Sequence, residues 1–320
     1  MRVLLTGSSG WLGRFLAPEL DRHGHDVVGL DVAPGQNTTV IASVADRSAI
    51  ERVFADHRIE AVVHAGGLHK PDIARFPAQA FVNVNVTGTL NLLEAAVAAK
   101  HDRFVFTSTT SLMISLAIRE EVASSAIWLD ETFAPLAPRN IYGVTKLAAE
   151  HLCRMHFLTH GLNCVVLRTS RFFPEDDDTL KGLSGENLKA NEFLHRRLSA
   201  QDAARAHVVA LERAPDIGYG EYIVSAPTPF AKEDAAALRT DAAAVVERLF
   251  PDAAELYRQK GWSLPDSISR VYDASRARRE LGFVCQTDFA AVLDALRRGA
   301  PVPFDHNADF LSPVLHSIAS

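Results

Sequence analysis

An apolar run, Val3-Leu4-Leu5, breaks directly into Thr6-Gly7-Ser8-Ser9-Gly10-Trp11-Leu12-Gly13, and a helix-period segment follows to about Asp21-Arg22-His23-Gly24. Three glycines spaced by three between a strand and a helix constrain the fold tightly. One permits a sharp turn, one lets the backbone approach a pyrophosphate, and one lets the helix pack close to the strand, with phosphates at the positive helix end. The same glycines would also serve a strand-to-helix turn that binds nothing. Asp31 weighs against that bland alternative: it ends Val27-Val28-Gly29-Leu30, 18 residues past Gly13, near the roughly 20 expected of a ribose-binding acid. Its carboxylate accepts hydrogen bonds from both adenosine-ribose hydroxyls and repels a 2′-phosphate. No Arg or Lys follows it, so NAD is favoured over NADP. A turn-forming Asp before Val32-Ala33-Pro34-Gly35 is the competing explanation.

The first half of the chain alternates short apolar runs with helix-period segments, as parallel strands joined by crossover helices do. Val3–Leu5, Val27–Leu30, Ala61–Val63, Arg103–Phe106 and Val165–Leu167 are the expected strands. Val82, Val86, Leu90, Leu93 and Val97 recur at helical spacing as one apolar stripe. Strands apolar on both faces need helices on both sides. The expected fold is therefore α/β, a doubly wound parallel sheet (Rossmann) with its ligand at the carboxyl ends of the strands. Residues 1–170 form the expected cofactor domain. Over 171–320, proline-bearing loops and scattered helices indicate a smaller substrate-binding lobe, from which Glu221–Val224 returns as a late strand.

Composition excludes several classes. A formal charge of −6 and a pI near 6.1 offer no basic field to a polyanion, so nucleic acid is not an expected partner. No apolar run approaches the roughly 20 residues of a membrane span, and Met1 leads into Val3 without a signal-peptide pattern; a cytoplasmic location is expected. Cys153, Cys164 and Cys285 form no Cys-x-x-Cys pair and read as reduced thiols. Neither His23/His25 nor His64/His69 has zinc spacing, and no metal is expected. The acidic run Glu175-Asp176-Asp177-Asp178 reads as a solvated loop.

Tyr142 and Lys146 stand four apart in Asn140-Ile141-Tyr142-Gly143-Val144-Thr145-Lys146. A helix puts such positions on one face, so the ammonium is expected beside the phenol, favouring its ionised form. A free tyrosine, with a pKa of about 10, is a poor base at neutral pH. General acid–base work requires that value to fall.

These motifs resemble the extended short-chain dehydrogenase/reductase family, also called NAD-dependent epimerase/dehydratase, over most of the chain. In that resemblance Gly7, Gly10 and Gly13 match the glycine motif, and Ser43-Val44 stands where an Asp-hydrophobic pair flanks the adenine. His64-Ala65-Gly66-Gly67 resembles the small-residue strand end under the dinucleotide, and Asn85-Val86-Thr87-Gly88-Thr89 the helix motif that follows it. Phe106-Thr107-Ser108-Thr109 corresponds to the strand that delivers the catalytic hydroxyl. The resemblance implies Thr109 as that hydroxyl, with Ser108 and Thr110 as competitors. It implies Tyr142 as acid/base, and Lys146 on the nicotinamide ribose and the tyrosinate.

Departures from the family pattern narrow the activity. Thr110 and Ser111 stand where dehydratases carry an acid pair, which disfavours dehydration. Arg171 falls near an Asn of sugar-nucleotide epimerases and is a candidate clamp for phosphate or carboxylate, or a loop residue paired with Glu175 or Asp176. Arg196 loosely matches the diphosphate-binding arginine, or is a solvated edge residue. Leu112-Met113-Ile114 and the segment to Trp128 are expected to line an apolar substrate mouth. The resemblance thus implies an epimerase acting on a nucleotide sugar. Arg171, Phe173-Pro174 and His64–Gly67 also resemble uronate dehydrogenases, which makes a dehydrogenase of a free sugar, sugar acid or small alcohol the second expectation; an idle NAD-binding sensor is the third. A homodimer built on two helices per subunit is implied as well, with Leu147, Leu152, Met155 and Leu158 facing either the partner or the sheet.

Overall fold

The computed structural model describes residues 1–176, 179–180 and 182–312. Asp177 and Asp178 of the acidic run lie outside the described residues. Among those described, the strands are β1 (Arg2–Thr6), β2 (Asp26–Asp31), β3 (Val40–Ile41), β4 (Ala61–His64), β5 (Phe104–Thr109), β6 (Ile127–Leu129), β7 (Cys164–Thr169), β8 (Tyr219–Val224) and β9 (Arg270–Tyr272). The helices that matter for the site are α1 (Trp11–Arg22), α2 (Arg47–His57), α3 (Ala78–Phe81), α4 (Gly88–Ala98), α5 (Leu116–Arg119), α6 (Ile141–His160), α7 (Gly185–Glu192) and α8 (Ala200–Ile217).

Seven strands make one parallel sheet in the order β3-β2-β1-β4-β5-β7-β8. Winding reverses between β1 and β4, which opens a crevice at the carboxyl ends there. Alternate side chains feed two cores. Val3, Leu5, Val105, Val165 and Leu167 pack with Leu12, Leu16 and Leu20 of α1 and the alanine-rich face of α8. Leu4, Phe104, Phe106 and Val166 pack with Ile50 of α2, Leu92 of α4 and Ala149 and Cys153 of α6. Each fully buried Leu, Val or Phe contributes about 1.5–3 kcal/mol, so both faces have to stay covered. The late strand expected at 221–224 is β8, which joins the sheet beside β7.

The helical stripe expected after Ala80 is buried only in part. Val82–Thr87 winds as a π-helical segment between α3 and α4, and its wider turn shifts the phase of the residues on either side. Phe81, Asn85, Thr89, Leu92, Leu93 and Ala96 are buried, whereas Val82 is exposed and Val86, Leu90 and Val97 are half-buried.

Beyond the sheet, Phe193, Leu194, Val246, Tyr257, Phe289 and Leu293 build a second core. Strands β6 and β9 pair in parallel there as a separate small sheet, with Ile127 opposite Arg270. The expected apolar mouth is not formed by the segment following Thr110. Leu112 and Met113 are buried with Leu129, Ile223 and Tyr272, and Trp128 packs into the second core and donates to Asp273 Oδ2 at 3.4 Å. From residues 112–128, Ile114 and Arg119 line the cleft, so the segment delivers a cation as well as apolar surface.

Candidate active site

A cleft of about 970 Å³ runs across the carboxyl ends of the strands. Gly7, Gly10, Trp11, Leu12, Asp31, Ser43, Val44, Ala65, Gly66, Gly67, Thr107, Thr109, Tyr142, Lys146, Arg171 and Arg196 all line it, whereas Gly13 does not. Gly7 has φ +75°, and a Cβ there would lie 2.8 Å from Gly66 Cα, so the β1 and β4 loops cross in contact only without a side chain. A Cβ on Gly13 would lie 2.3 Å from the Gly7 carbonyl oxygen; this glycine seats α1 on the turn instead of facing the cleft. Asp31 is buried at the tip of β2, its Oδ2 accepting from Ser9 N and its Oδ1 from Ala33 N, both at 3.0 Å. Burial pushes its carboxyl up, and those backbone donors oppose the shift. Ser43 and Val44 line the same end, where Asn91 Nδ2 holds the Val44 carbonyl at 3.0 Å. A tight glycine turn running into a helix N-terminus, with an acid fixed at the next strand tip, fits the pyrophosphate and ribose of a dinucleotide.

Helix α6 starts where it does because Asn140 caps it, Oδ1 accepting from Gly143 N at 2.9 Å. That puts Tyr142 in the first turn, against the tip of β5. Thr109 ends β5, its Oγ1 accepting from Ser111 N at 3.1 Å, and it lines the cleft together with Tyr142. Its neighbours are engaged elsewhere: Ser108 donates to Glu150 Oε1 at 2.6 Å, and Thr110 to the Thr169 carbonyl at 3.3 Å. The Thr107 hydroxyl is held 2.7 Å from His207 Nε2. Asn85 ties the β4 loop to α6, its amide bonding both Leu68 N and Leu68 O and reaching Thr145 Oγ1 at 3.2 Å.

The electrostatics of this cluster differ from the expectation of a phenol acidified by its amine neighbour. Burial pushes Tyr142 up to about 12; the Thr109 side chain pulls the other way, and the Asp72 charge adds to the rise. Burial pushes Lys146 down to about 8, against the pull of Cys153 and Glu150. The Lys146 Nζ lies over the Phe106 ring, 4.1 Å from its centroid. Burial dominates the phenol in the protein alone and Lys146 is not among the groups that shift it, so the phenol keeps its proton until more positive charge enters the cleft.

The other end of the cleft is cationic. Backbone bonds from Arg171 N to Arg196 O (3.4 Å) and from Leu198 N to Arg171 O (2.9 Å) bring the two candidate arginines together. Glu192, wholly buried at the end of α7, lies 3.2 Å from Arg171 Nη1, 3.0 Å from Arg196 Nη2 and 2.9 Å from Arg197 Nη1. Arg196 is buried, not a solvated edge residue. Burial pushes it down to about 10 despite Glu192, with Arg270 and Arg171 adding to the push. Arg270 comes from β9, tied in by His195 Nδ1 at 2.9 Å from its carbonyl oxygen. The Nε atoms of Arg196 and Arg270 are buried without a hydrogen-bond partner.

Residues 3–186 match the NAD dependent epimerase/dehydratase family. The chain belongs to that family. Among other members, it is 32% identical over 179 residues to UDP-glucose 4-epimerase of Azospirillum brasilense, covering 52% of this chain and 48% of that protein. To dTDP-glucose 4,6-dehydratase of Neisseria meningitidis serogroup B it is 29% identical over 204 residues, 54% of this chain and 55% of the relative. To uronate dehydrogenase of Pseudomonas syringae pv. tomato it is 26% identical over 227 residues, 68% of this chain and 72% of the relative. The chain thus spans about half the length of the first two relatives. Its fold matches that of a short-chain dehydrogenase/reductase superfamily protein from Agrobacterium tumefaciens with bound NAD at a TM-score of 0.65, with 24% identity over 93% of this chain and 98% of that one.

Two members of the arginine cluster in this family member, Glu192 behind the cleft and Arg270 in its wall, were not singled out from the sequence. Glu192 carried a usable signal, since an acid four and five residues before Arg196 and Arg197 at a helix end invites ion pairing. Arg270 carried none: it stands in an isolated three-residue strand and reaches the site only through pairing with β6.

Proposed function

We propose that the chain is an NAD-dependent, epimerase-like oxidoreductase acting on a nucleotide-linked sugar. One observation carries the reading: Thr109, Tyr142 and Lys146 line the same cleft as the glycine turn, Asp31 and the arginines Arg196 and Arg270. NAD, when bound, supplies the hydride acceptor and a positive ring that favours the phenolate. Asp31 receives the ribose hydroxyls. Thr109 bonds the reacting hydroxyl oxygen and relays its proton to Tyr142, and Lys146 is the cation one turn along that steadies the resulting charge. Two guanidiniums that line the cleft and bear on one another suit the two negative charges of a diphosphate. Eliminating water would need a further acid and base, and the places after Thr109 hold Thr110, bonded to a backbone carbonyl, and Ser111; dehydration is therefore disfavoured.

A sugar-acid dehydrogenase is the second reading. Arg171 lines the cleft near the place of the epimerase Asn, where a guanidinium grips a carboxylate bidentately. Denaturing the purified protein and assaying the supernatant separates the two. Retained NAD, with UDP-glucose converted in the absence of added cofactor, supports the epimerase; no retained NAD, with NADH accumulating on glucuronate, supports the dehydrogenase. Absence of both behaviours refutes the hydride-transfer reading.

The same reading assigns residues 1–170 with β8 to NAD and most of 171–320 to substrate, in a cytoplasmic enzyme. It also takes the protein as a homodimer in which exposed Met155 and Leu158 of α6 face the partner. Leu152 packs partly against the core of Leu4, Phe104 and Phe106 instead, and Leu147 against the cluster of Leu112, Met113 and Leu129.

A further inference from the structure

The loop after β4 brings a second polar cluster to the cleft. His69 and Glu175 both line it. The His69 imidazole is held in three ways: its Nδ1 lies 2.8 Å from Asp72 Oδ2, its backbone N donates to the same oxygen at 2.8 Å, and its ring stacks on Phe173 at 4.8 Å between centroids. Phe173 in turn stacks on Phe172 at 4.6 Å, so the ring rests on an apolar wall that does not yield. Asp72 is almost wholly buried. A carboxylate that fixes one imidazole nitrogen sets the direction of the other.

That other nitrogen, Nε2, lies 4.0 Å from Glu175 Oε1, beyond hydrogen-bond length, and Glu175 Oε2 is buried without a partner. Burial alone would push His69 down, but Asp72 and Glu175 outweigh it and raise the group to about 9, so the ring is a cation at neutral pH. A cationic donor thus faces an anionic acceptor across a gap too wide for a direct bond. Two hydrogen bonds of about 2.8 Å meeting at one oxygen span roughly 4.0–4.6 Å for angles of about 90–110°. The group that fills such a gap must accept and donate at a single atom. A carboxylate or phosphate there would be repelled by Glu175, and an ammonium by His69; a hydroxyl satisfies both.

We propose that His69 and Glu175 form a hydroxyl-recognition pair, in which one substrate hydroxyl accepts from His69 Nε2 and donates to Glu175 Oε1. The pair selects a polyhydroxylated substrate and acts on a different part of it from the arginines. This inference rests on the functional reading above and deepens it.

The test uses the full chain loaded with NAD, as wild type, His69→Ala, His69→Gln and Glu175→Gln. Steady-state rates are measured on UDP-glucose, UDP-glucuronate, glucuronate and L-arabinose, then on monodeoxy analogues of whichever is turned over. His69→Ala should lower kcat/KM about 10- to 100-fold, the range for a bond to a charged group. NAD affinity should stay within about twofold, which reports an intact fold. His69→Gln should recover part of the loss because its amide still donates, and Glu175→Gln should lose less than His69→Ala because it keeps an acceptor. One monodeoxy analogue should suffer the same loss with wild type and no further loss with His69→Ala. Variants with unchanged kcat/KM, or deoxy losses that persist undiminished in His69→Ala, overturn the hydroxyl pair alone. A wild type that binds NAD but turns over none of the four probes overturns the functional reading, and the pair with it.

Discussion

Replacing Asp72 by Asn should change how stability depends on pH, because Asp72 is what keeps His69 charged. His69 rises from 6.5 to about 9 in the folded chain, which corresponds to about 3 kcal/mol at roughly 1.4 kcal/mol per pH unit. A base whose folded pKa is raised contributes that stability in full below its unfolded value near 6.5 and loses it as pH climbs through about 9. Lys146, pushed down to about 8, works in the opposite direction over part of the same range, so the informative quantity is wild type minus variant. Glu175, 4.0 Å from the ring, also contributes to the rise, and the share removed with Asp72 is therefore about 2–3 kcal/mol. Denaturant unfolding of both proteins at about pH 6 and about pH 9.5 should show the wild-type advantage shrinking by that amount on going to the higher pH. Parallel pH dependence in the two proteins would refute the charged-imidazole reasoning.

Three further outcomes follow from the cleft geometry. Thr109→Val removes the hydroxyl that lines the cleft with Tyr142 while keeping the β-branched shape, and should cut kcat about 10- to 1000-fold in steady-state assays with little change in melting temperature. Asp31→Ala should weaken NAD binding about 10- to 100-fold and narrow the preference over NADP, read by titrating each dinucleotide. Gly13→Ala places a methyl 2.3 Å from the Gly7 carbonyl oxygen, and should cost about 1–3 kcal/mol, seen as a melting temperature lowered by several degrees together with weaker NAD binding.

The parts of this molecule that read well from the sequence are those whose physics is local. Val3–Leu5 running into Gly7 predicts β1, its turn and α1, because the strand, the positive φ and the helix start lie within a dozen residues. Tyr142 and Lys146 were visible as a pair because helical spacing is local too, but the balance between them was not. The sequence shows the ammonium and says nothing of the burial that raises the phenol. Elements fixed by distant partners were missed. Strand β3 is two residues long and exists through pairing with β2, while β6 and β9 find each other across more than a hundred residues and carry Arg270 into the site. The Val82 stripe holds in part, with Leu93 buried and Val82 exposed, and it is interrupted by a π-helical segment that strict 3.6-residue periodicity does not anticipate.

The central claim is that the Tyr142 phenol carries the proton of a hydride transfer, and Tyr142→Phe tests it with the ring left in place. Turnover of the sugar substrate by this variant should fall at least about 100-fold while its affinity for NAD stays at the wild-type value. Turnover at the wild-type rate with NAD bound would contradict the account.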